Sequence, residues 1–373
     1  MFKLIFPTTS KKPLLIVGSG ARASGASELI YKFIKKTHIP VLTTMNAVDL
    51  VQDEYRFGFI GTYGNRICNM LLNEADLVIS VGARLGLRQI GHKKSLFIPK
   101  AKLIRVDVDQ YELGRRIKED EVQYNLDAKY FFELINEENI PDYSSWWNRC
   151  LEAKNLLEGY DDVEGNLCIK KISSLLPKDP IVAVDVGQNE CWAAQSLELK
   201  GEQGRILIAG GYGSMGCGLP FAIGSAIAEK DKTIFCITGD GGLQMNIQEL
   251  EVLKRESLPI KIFVLNNEVL GKISEIQHGS YHDRYAQTTK ESGYSVPDFT
   301  KVAEAYGIRG VTLNSYEELD RYQDYINDKV PTLFNIMMSN DTLLIPKVKW
   351  DSCDIKPDLK EELLNKVKKL IGE

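Results

Sequence analysis

Short apolar runs rich in β-branched residues alternate with longer amphipathic segments along nearly the whole chain. This alternation is typical of parallel strands joined by crossover helices. It predicts an α/β fold with doubly wound, mainly parallel sheets. The predicted strands lie at 14–17, 41–44, 77–81, 103–108, 181–184, 233–238, 260–265 and 333–337.

The chain has 373 residues, enough for two domains that each bury a core. The alternation is interrupted by a polar, aromatic stretch and then resumes without a shared motif, which indicates two different domains rather than a duplication. We place a first α/β domain at 1–140, a linker at 141–165, a second α/β domain at 166–347 and a C-terminal tail at 348–373.

The charge balance argues against a polyanionic partner. Lys and Arg number 46 against 51 Asp and Glu, which gives a net charge of −5 and no basic footprint for a nucleic acid or an anionic membrane. The sequence also lacks a signal peptide, an apolar run of about 20 residues and a C-x-x-C pair. We therefore predict a cytoplasmic protein that binds small molecules or other proteins.

The strongest motif is a pair of polar turns, each directly after a predicted strand. Asp240 lies in the first turn, Gly-Asp-Gly-Gly, and Asn267 lies 27 residues later in Asn-Asn. One helix, at 243–256, and one strand fit between them, so both turns should lie at the same carboxyl edge of a parallel sheet. Such oxygen ligands suit Mg²⁺ bound to phosphates, and the glycines let the backbone approach. Either turn alone also fits a tight turn or a helix cap.

This pair resembles the signature of thiamine diphosphate-dependent enzymes, in which Gly-Asp-Gly is followed by Asn-Asn somewhat under thirty residues later. The surrounding text resembles the acetolactate synthase branch of that superfamily, in segments 188–195, 213–220, 239–250 and 258–261. The first half is similar to the central domain of the same family, for instance at 82–84 and 106–109. The resemblance covers almost the whole chain.

The resemblance implies thiamine diphosphate and Mg²⁺ as cofactors. Asp240, the side chain of Asn267 and the main-chain carbonyl of Val269 would hold the metal. Met215 would lie under the thiazolium ring, although core packing is the ordinary alternative for a lone methionine. The other implied cofactor contacts are Gly187, Gln188, Asn189, Gly213, Ser214, Gly241, Gly242 and Gly271. Independently, the glycine-rich turn at 210–218 should open a helix that runs to Ala228.

Members of this family decarboxylate a 2-oxo acid, here most simply pyruvate, and transfer the two-carbon unit to a carbonyl acceptor. The cofactor does the chemistry and the protein positions it. In the family, a glutamate of a separate pyrimidine-binding domain assists proton removal, and no residue of this chain matches it. The resemblance thus implies that domain as a partner, in trans or in a longer chain, and a homo- or hetero-oligomer. The alternative is a catalytically silent cofactor-binding or regulatory subunit.

Two segments depart from the acetolactate synthase pattern. Lys272 and Ile276 stand where the family usually has Met and Trp facing the substrate, and Asn189-Glu190 stands where acetolactate synthases typically have His-Gln. A lysine could neutralise an anionic acceptor, such as a phosphorylated or nucleotide-linked sugar, whereas a solvated lysine is the more ordinary outcome. The acceptor therefore stays open between a 2-oxo acid and a sugar-type ketone.

Two weaker signals concern other ligands. Gly18 and Gly20 follow a strand as in a dinucleotide-binding turn, but the complete motif is absent. Because some relatives hold FAD in this domain, Gly18, Gly20, Arg84 and Asp107 are candidate contacts, with a purely structural domain or a flavin or nicotinamide oxidoreductase as alternatives.

His278 and His282 are spaced like a metal pair. However, Gly279 and Ser280 argue against a helix there, so we predict no metal site at these histidines. The polar stretch at 279–297 is predicted to be a mobile loop near the cofactor.

Overall fold

The computed structural model describes residues 6–341, 343–349 and 351–372, which form two compact units. The first unit holds the described residues up to Asp161 and those from Ile345 onward, and the second is Asp162–Leu344. Most of the predicted linker and nearly all of the predicted tail therefore belong to the first unit. Residues 1–5, where no signal peptide is expected, lie outside the described residues.

A six-stranded sheet forms the centre of the first unit. Its order is β3-β2-β1-β4-β5-β6, and every neighbouring pair is parallel. The α/β prediction is confirmed for this half. The strands are β1 (Pro13–Val17), β2 (Val41–Thr43), β3 (Arg56–Phe59), β4 (Leu77–Val81), β5 (Lys102–Asp107) and β6 (Val122–Asn125).

Seven helices accompany this sheet before the chain leaves the unit. They are α1 (Ser19–Ala23), α2 (Ser27–Thr37), α3 (Arg66–Glu74), α4 (Leu87–Ile90), α5 (Gln110–Gly114), α6 (Ala128–Glu137) and α7 (Ser144–Leu156). Helix α7 lies in the predicted linker, yet its Trp146 is buried and donates a hydrogen bond from Nε1 to the Pro13 carbonyl at 3.1 Å. It is part of the core of the first unit.

The second unit is built around a similar sheet. Its six strands are ordered β11-β12-β10-β9-β7-β8, again with every pair parallel. The strands are β7 (Ile181–Val184), β8 (Arg205–Ile208), β9 (Ile234–Gly239), β10 (Ile260–Asn266), β11 (Arg309–Leu313) and β12 (Thr332–Met337).

Eight helices belong to this unit. They are α8 (Glu164–Leu175), α9 (Gln188–Ser196), α10 (Gly218–Ala228), α11 (Asp240–Met245), α12 (Leu250–Arg255), α13 (Gly271–Tyr281), α14 (Phe299–Ala305) and α15 (Gln323–Asn327). Helix α10 ends at Ala228 as predicted. The helix predicted at 243–256 is instead interrupted by a 3₁₀ turn at Ile247–Glu249, between α11 and α12.

The chain then returns to the first unit. Two short antiparallel strands, β13 (Lys347–Val348) and β14 (Ile355–Lys356), precede α16 (Glu361–Gly372). Helix α16 is amphipathic, and its Val367 and Ile371 are buried in the hydrophobic core of the first unit. Lys12 donates from Nζ to the Ile371 carbonyl at 3.1 Å, which satisfies a carbonyl at the end of the helix. The segment is therefore a docked part of the domain rather than a peripheral tail.

Among the residues with described placement, no helix combines the length and apolar character that crossing a membrane would require.

If α16 contributes to the core, Val367→Ala should lower the free energy of unfolding by about 2 kcal/mol, since it removes two buried carbons and leaves a cavity. Lys368→Ala is the matched control, because Lys368 is exposed on the same helix and should change stability by less than about 0.5 kcal/mol. Urea unfolding followed by circular dichroism measures both. Equal effects of the two substitutions would contradict the docking of α16.

Candidate cofactor site

Three neighbouring strands of the second unit end at one edge of the sheet. Strand β9 lies between β7 and β10, with Val184 paired to Ile237 and Gly239 paired to Leu265. The segments that follow these strands, at 185–189, 240–242 and 267–271, therefore meet at the carboxyl edge. This pairing brings Asp240 and Asn267 to the same edge of the sheet, as predicted.

Asp240 is the first residue of α11 and is buried. Its Oδ1 accepts a hydrogen bond from the Gly241 amide at 2.7 Å, whereas Oδ2 is enclosed and accepts no well-formed hydrogen bond from the described residues. Burial raises the pKa of Asp240 to about 7, and the nearby Glu268 amide and Tyr294 hydroxyl oppose part of that rise. A buried carboxylate with an unsatisfied oxygen needs a cation or a donor, so this residue fits a metal ligand.

Asn267 and Val269 lie on the turn after β10. This turn is close to Asp240, since the amide of Glu268, between them, approaches the Asp240 carboxylate. Glu268 has a left-handed backbone with φ of 54°, a strained conformation for a residue with a side chain. The Asn267 Nδ2 donates to Gln188 Oε1 at 3.3 Å, and its Oδ1 lies 3.4 Å from the Val269 amide. The turn thus presents amide and backbone oxygens beside a buried carboxylate, a donor set that suits Mg²⁺.

The segment after β7 forms the other side of this edge. Gly187 has φ of 103°, which requires glycine, and it precedes the first turn of α9. Gln188 is buried against the start of α13, where a Cβ at Gly271 would lie 2.0 Å from Gln188 Oε1. Asn189 donates from Nδ2 to the Val186 carbonyl at 3.1 Å. The structure therefore brings Gln188, Asn267 and Gly271 together.

The glycine-rich turn before α10 lies beside α11. Gly213 and Gly216 have φ of 65° and 84°, and Ser214 is exposed. Met215 is 43% exposed, so it is not a core residue, and its Cε would lie 3.4 Å from a Cβ at Gly241. An apolar side chain that reaches the Asp240 turn and remains open to solvent is compatible with a support for a bound ring.

Two residues of the site were missed in the sequence. Tyr294 lies in the irregular segment between α13 and α14, and its hydroxyl lies 3.5 Å from Gln244 Nε2 and near Asp240. Burial and the Asp240 charge raise the pKa of Tyr294. No sequence motif marks this position. Asp185 is buried at the end of β7, and a carboxylate directly after an apolar strand was a signal that could have identified it.

The residues proposed for substrate contact differ in their exposure to solvent. The ammonium group of Lys272 is enclosed by protein, which contradicts the solvated alternative. Glu190 is also buried, whereas Ile276 is 40% exposed on α13.

The expectation that no helix forms near 279–280 was wrong, because α13 continues to Tyr281. Gly279 and Ser280 lie in the last turn of this helix, where the low helix propensity of one glycine costs only about 1 kcal/mol, and the helix ends at His282 in the left-handed conformation. His278 points its Nδ1 at Asp283 Oδ1 at 2.5 Å. In the described part of the chain, no group of three His, Cys, Asp or Glu side chains is arranged to hold a metal.

The predicted flavin contacts lie in the first unit, where β1 and β4 are adjacent. The turns after these strands pack so closely that a Cβ at Gly18 would lie 2.1 Å from the Gly82 carbonyl oxygen, and one at Gly20 would lie 2.9 Å from it. Backbone packing therefore explains both glycines without a nucleotide. Arg84 pairs with Glu112 at 2.8 Å, and Asp107 accepts a hydrogen bond from the Asp109 amide at 2.9 Å.

Comparison with protein families matches both units. Residues 8–135 match the central domain of thiamine pyrophosphate enzymes, and residues 185–336 match their C-terminal TPP binding domain. Thiamine pyrophosphate is the same compound as thiamine diphosphate. The second match spans all three segments that meet at the site edge.

Curated relatives resemble the chain along most of its length. Acetolactate synthase isozyme 2 large subunit of Escherichia coli is 31% identical over 88% of this chain and 60% of its own length. The acetolactate synthase large subunit of Cyanidium caldarium is 33% identical over 91% of this chain and 60% of its own. A probable acetolactate synthase large subunit of Methanocaldococcus jannaschii is 32% identical over 88% and 58%. The chain thus spans about 60% of the length of these relatives.

Proposed function

Because the chain belongs to the thiamine pyrophosphate enzymes and is acetolactate synthase-like, we propose that it binds thiamine diphosphate and Mg²⁺ at the edge of the second sheet. We further propose that it serves in the decarboxylation of a 2-oxo acid, with pyruvate first, and in transfer of the two-carbon unit to a carbonyl acceptor. The observation that carries this proposal is the buried Asp240 carboxylate with its unsatisfied oxygen, beside Asn267 and Gln188.

In this proposal, Asp240, the Asn267 side chain and the Val269 carbonyl hold the metal. The backbone at Gly187, Gly241 and Gly242 leaves room for the diphosphate, with Gln188, Asn189, Gly213, Ser214 and Gly271 around it. When bound, thiamine diphosphate would supply the nucleophilic carbon that decarboxylation of a 2-oxo acid requires. The chain binds and orients: Asp240 offsets cation charge in a buried place, and Met215 offers an apolar support next to the Asp240 turn.

Helix α10 supports the proposal of a protein partner. Its sequence is apolar on all sides, yet Phe221 and Ile227 remain exposed, and Gly224 has open space beside it. Tyr212 and Met215, in the turn before this helix, and Met245, at the end of α11, are also exposed apolar side chains. Since a helix that is apolar all round is normally covered, we propose that a pyrimidine-binding domain packs here, in trans or as part of a longer chain. Relatives named as large subunits support an oligomer with a second kind of subunit.

The chemistry of the acceptor is the second part of the proposal. An enclosed ammonium at Lys272 and a buried carboxylate at Glu190 make this region of the second unit more polar than the Met and Gln of the resembling family would. This polarity suits an acceptor that carries polar or charged groups, and both a sugar-type ketone and a second 2-oxo acid meet that condition.

The first unit offers less for a flavin, since packing explains Gly18 and Gly20 and Arg84 is paired with Glu112. We propose a structural role for this unit and a cytoplasmic location, in which its buried cysteines stay reduced. The visible absorbance spectrum of the purified protein tests the first point. We expect no flavin band, and a stoichiometric flavin would contradict the structural role.

Metal-dependent cofactor binding tests the central proposal. In titration calorimetry with thiamine diphosphate, omission of Mg²⁺ or the substitution Asp240→Asn should weaken binding at least about tenfold, because the metal loses a charged ligand. Asp231→Asn is the matched control, since Asp231 is exposed in the same unit and should bind as the unchanged protein does. Binding that ignores both Mg²⁺ and Asp240 would contradict the site assignment.

Reconstitution with a pyrimidine-binding protein tests the activity and the partner surface together. We expect pyruvate consumption only in the mixture, and Ile227→Glu should reduce it at least about tenfold by placing a charge in the apolar interface. Leu167→Glu, exposed on α8 of the same unit, is the control and should leave it unchanged. The assay is run with a second pyruvate and with a sugar-type ketone as acceptor. Cofactor binding without turnover in any mixture would favour the silent subunit.

A further inference from the structure

Asp185 joins three segments of the second unit that are far apart in sequence. It follows β7 and is 1% exposed. Its Oδ1 accepts a hydrogen bond from the Val186 amide at 2.7 Å, and Oδ2 accepts one from Thr238 Oγ1, at the end of β9, at 3.2 Å. The Gly216 amide, in the glycine-rich turn before α10, lies 3.1 Å from both oxygens. One carboxylate therefore fixes the position of this turn against two strand ends.

Asp185 crowds two nearby glycines, Gly242 with its carboxylate and Gly218 with its Cβ and backbone. A Cβ at Gly242 would lie 2.4 Å from Asp185 Oδ2, and a Cβ at Gly218 would lie 3.0 Å from the Asp185 Cβ. Neither position has room for a side chain even before a ligand is considered. The glycine pattern that the sequence analysis assigned to phosphate approach is thus also needed to surround Asp185.

The hydrogen bonds of Asp185 favour an anchoring role over direct metal ligation. Both oxygens are engaged by protein donors, in contrast to Asp240, whose Oδ2 is unsatisfied. The donors are neutral backbone and hydroxyl groups, so they offset only part of the cost of burying a charge. Buried charges that cost stability are typical of functional sites, and here the charge fixes the backbone of the turn that contains Gly216. The residue next to the anchored Gly216 amide is Met215.

We propose that Asp185 is a positioning residue that holds the Met215 turn in the shape required for the ring portion of the cofactor. This inference rests on the proposed function, because it assigns Asp185 to one part of the thiamine diphosphate site. It predicts that Asp185 affects recognition of the thiamine part more than recognition of the metal-bound diphosphate, which is held by Asp240 and Asn267.

The test compares two ligands on the whole chain by calorimetry in Mg²⁺: thiamine diphosphate and inorganic pyrophosphate. In Asp185→Asn an amide nitrogen replaces one of the two oxygens that the Gly216 amide contacts, and the remaining acceptor is uncharged, so the hydrogen bonding that holds this turn is weakened. We expect thiamine diphosphate affinity to fall about tenfold and pyrophosphate affinity to change less than about twofold. Thr238→Val keeps the carboxylate and the Gly216 contact, and should change the thiamine diphosphate affinity less than about threefold.

Amide hydrogen exchange in the ligand-free protein provides a second readout. Exchange at 215–217 should be faster in Asp185→Asn than in the unchanged chain, whereas exchange in α14 should be the same in both. Equal loss of both ligands, or a lower unfolding temperature with unchanged affinities and exchange, would overturn the positioning role alone. If the unchanged chain binds neither ligand in Mg²⁺, the proposed function fails and the inference fails with it.

Discussion

Parallel pairing of β7, β9 and β10 brings together the polar turns that carry Asp185, Asp240 and Asn267. Because the three strands run in the same direction and are neighbours, their following turns are brought to one edge although 185 and 267 are far apart in the chain. Hydrophobic burial stabilises this pairing, since the strand residues are almost entirely buried. The apolar sheet therefore provides the stability, and the polar turn residues are positioned by it.

Burial of the polar site residues instead costs folding free energy. Asp185 and Asp240 are both buried carboxylates within one turn of strand ends, and burial raises the pKa of each. Their surroundings differ: Asp185 is saturated by internal donors, whereas Asp240 keeps one oxygen unsatisfied. Two acids of the same type, on adjacent strands, are therefore suited to different tasks, one to holding the backbone and the other to meeting a cation.

The sequence was informative where periodicity and motif coincide. Eight strands, the helix at α10 and the meeting of Asp240 with Asn267 followed from apolar runs and from the rule that parallel strands share an edge. Within the two six-stranded sheets, the missed strands are the edge strands β3, β6, β8 and β11, and the short pair β13 and β14 was missed as well. Strands β6, β8 and β11 are partly exposed and carry polar residues, which weakens the apolar signal, whereas β3 is largely buried but short and contains Gly58. Tyr294 was missed because tertiary packing alone brings it to Asp240.

Helix α16 completes the core of the first unit although the chain reaches it only after the entire second unit. The two ends of the second unit lie together, since the Ser339 amide donates to Glu164 Oε2 at 2.9 Å, and Tyr160 similarly contacts the Asp358 carbonyl in the first unit at 3.2 Å. The second unit is therefore an insertion within the first. During synthesis on the ribosome the second unit can fold as soon as its continuous segment has emerged. The first unit can complete its core only after Val367 and Ile371 have been made.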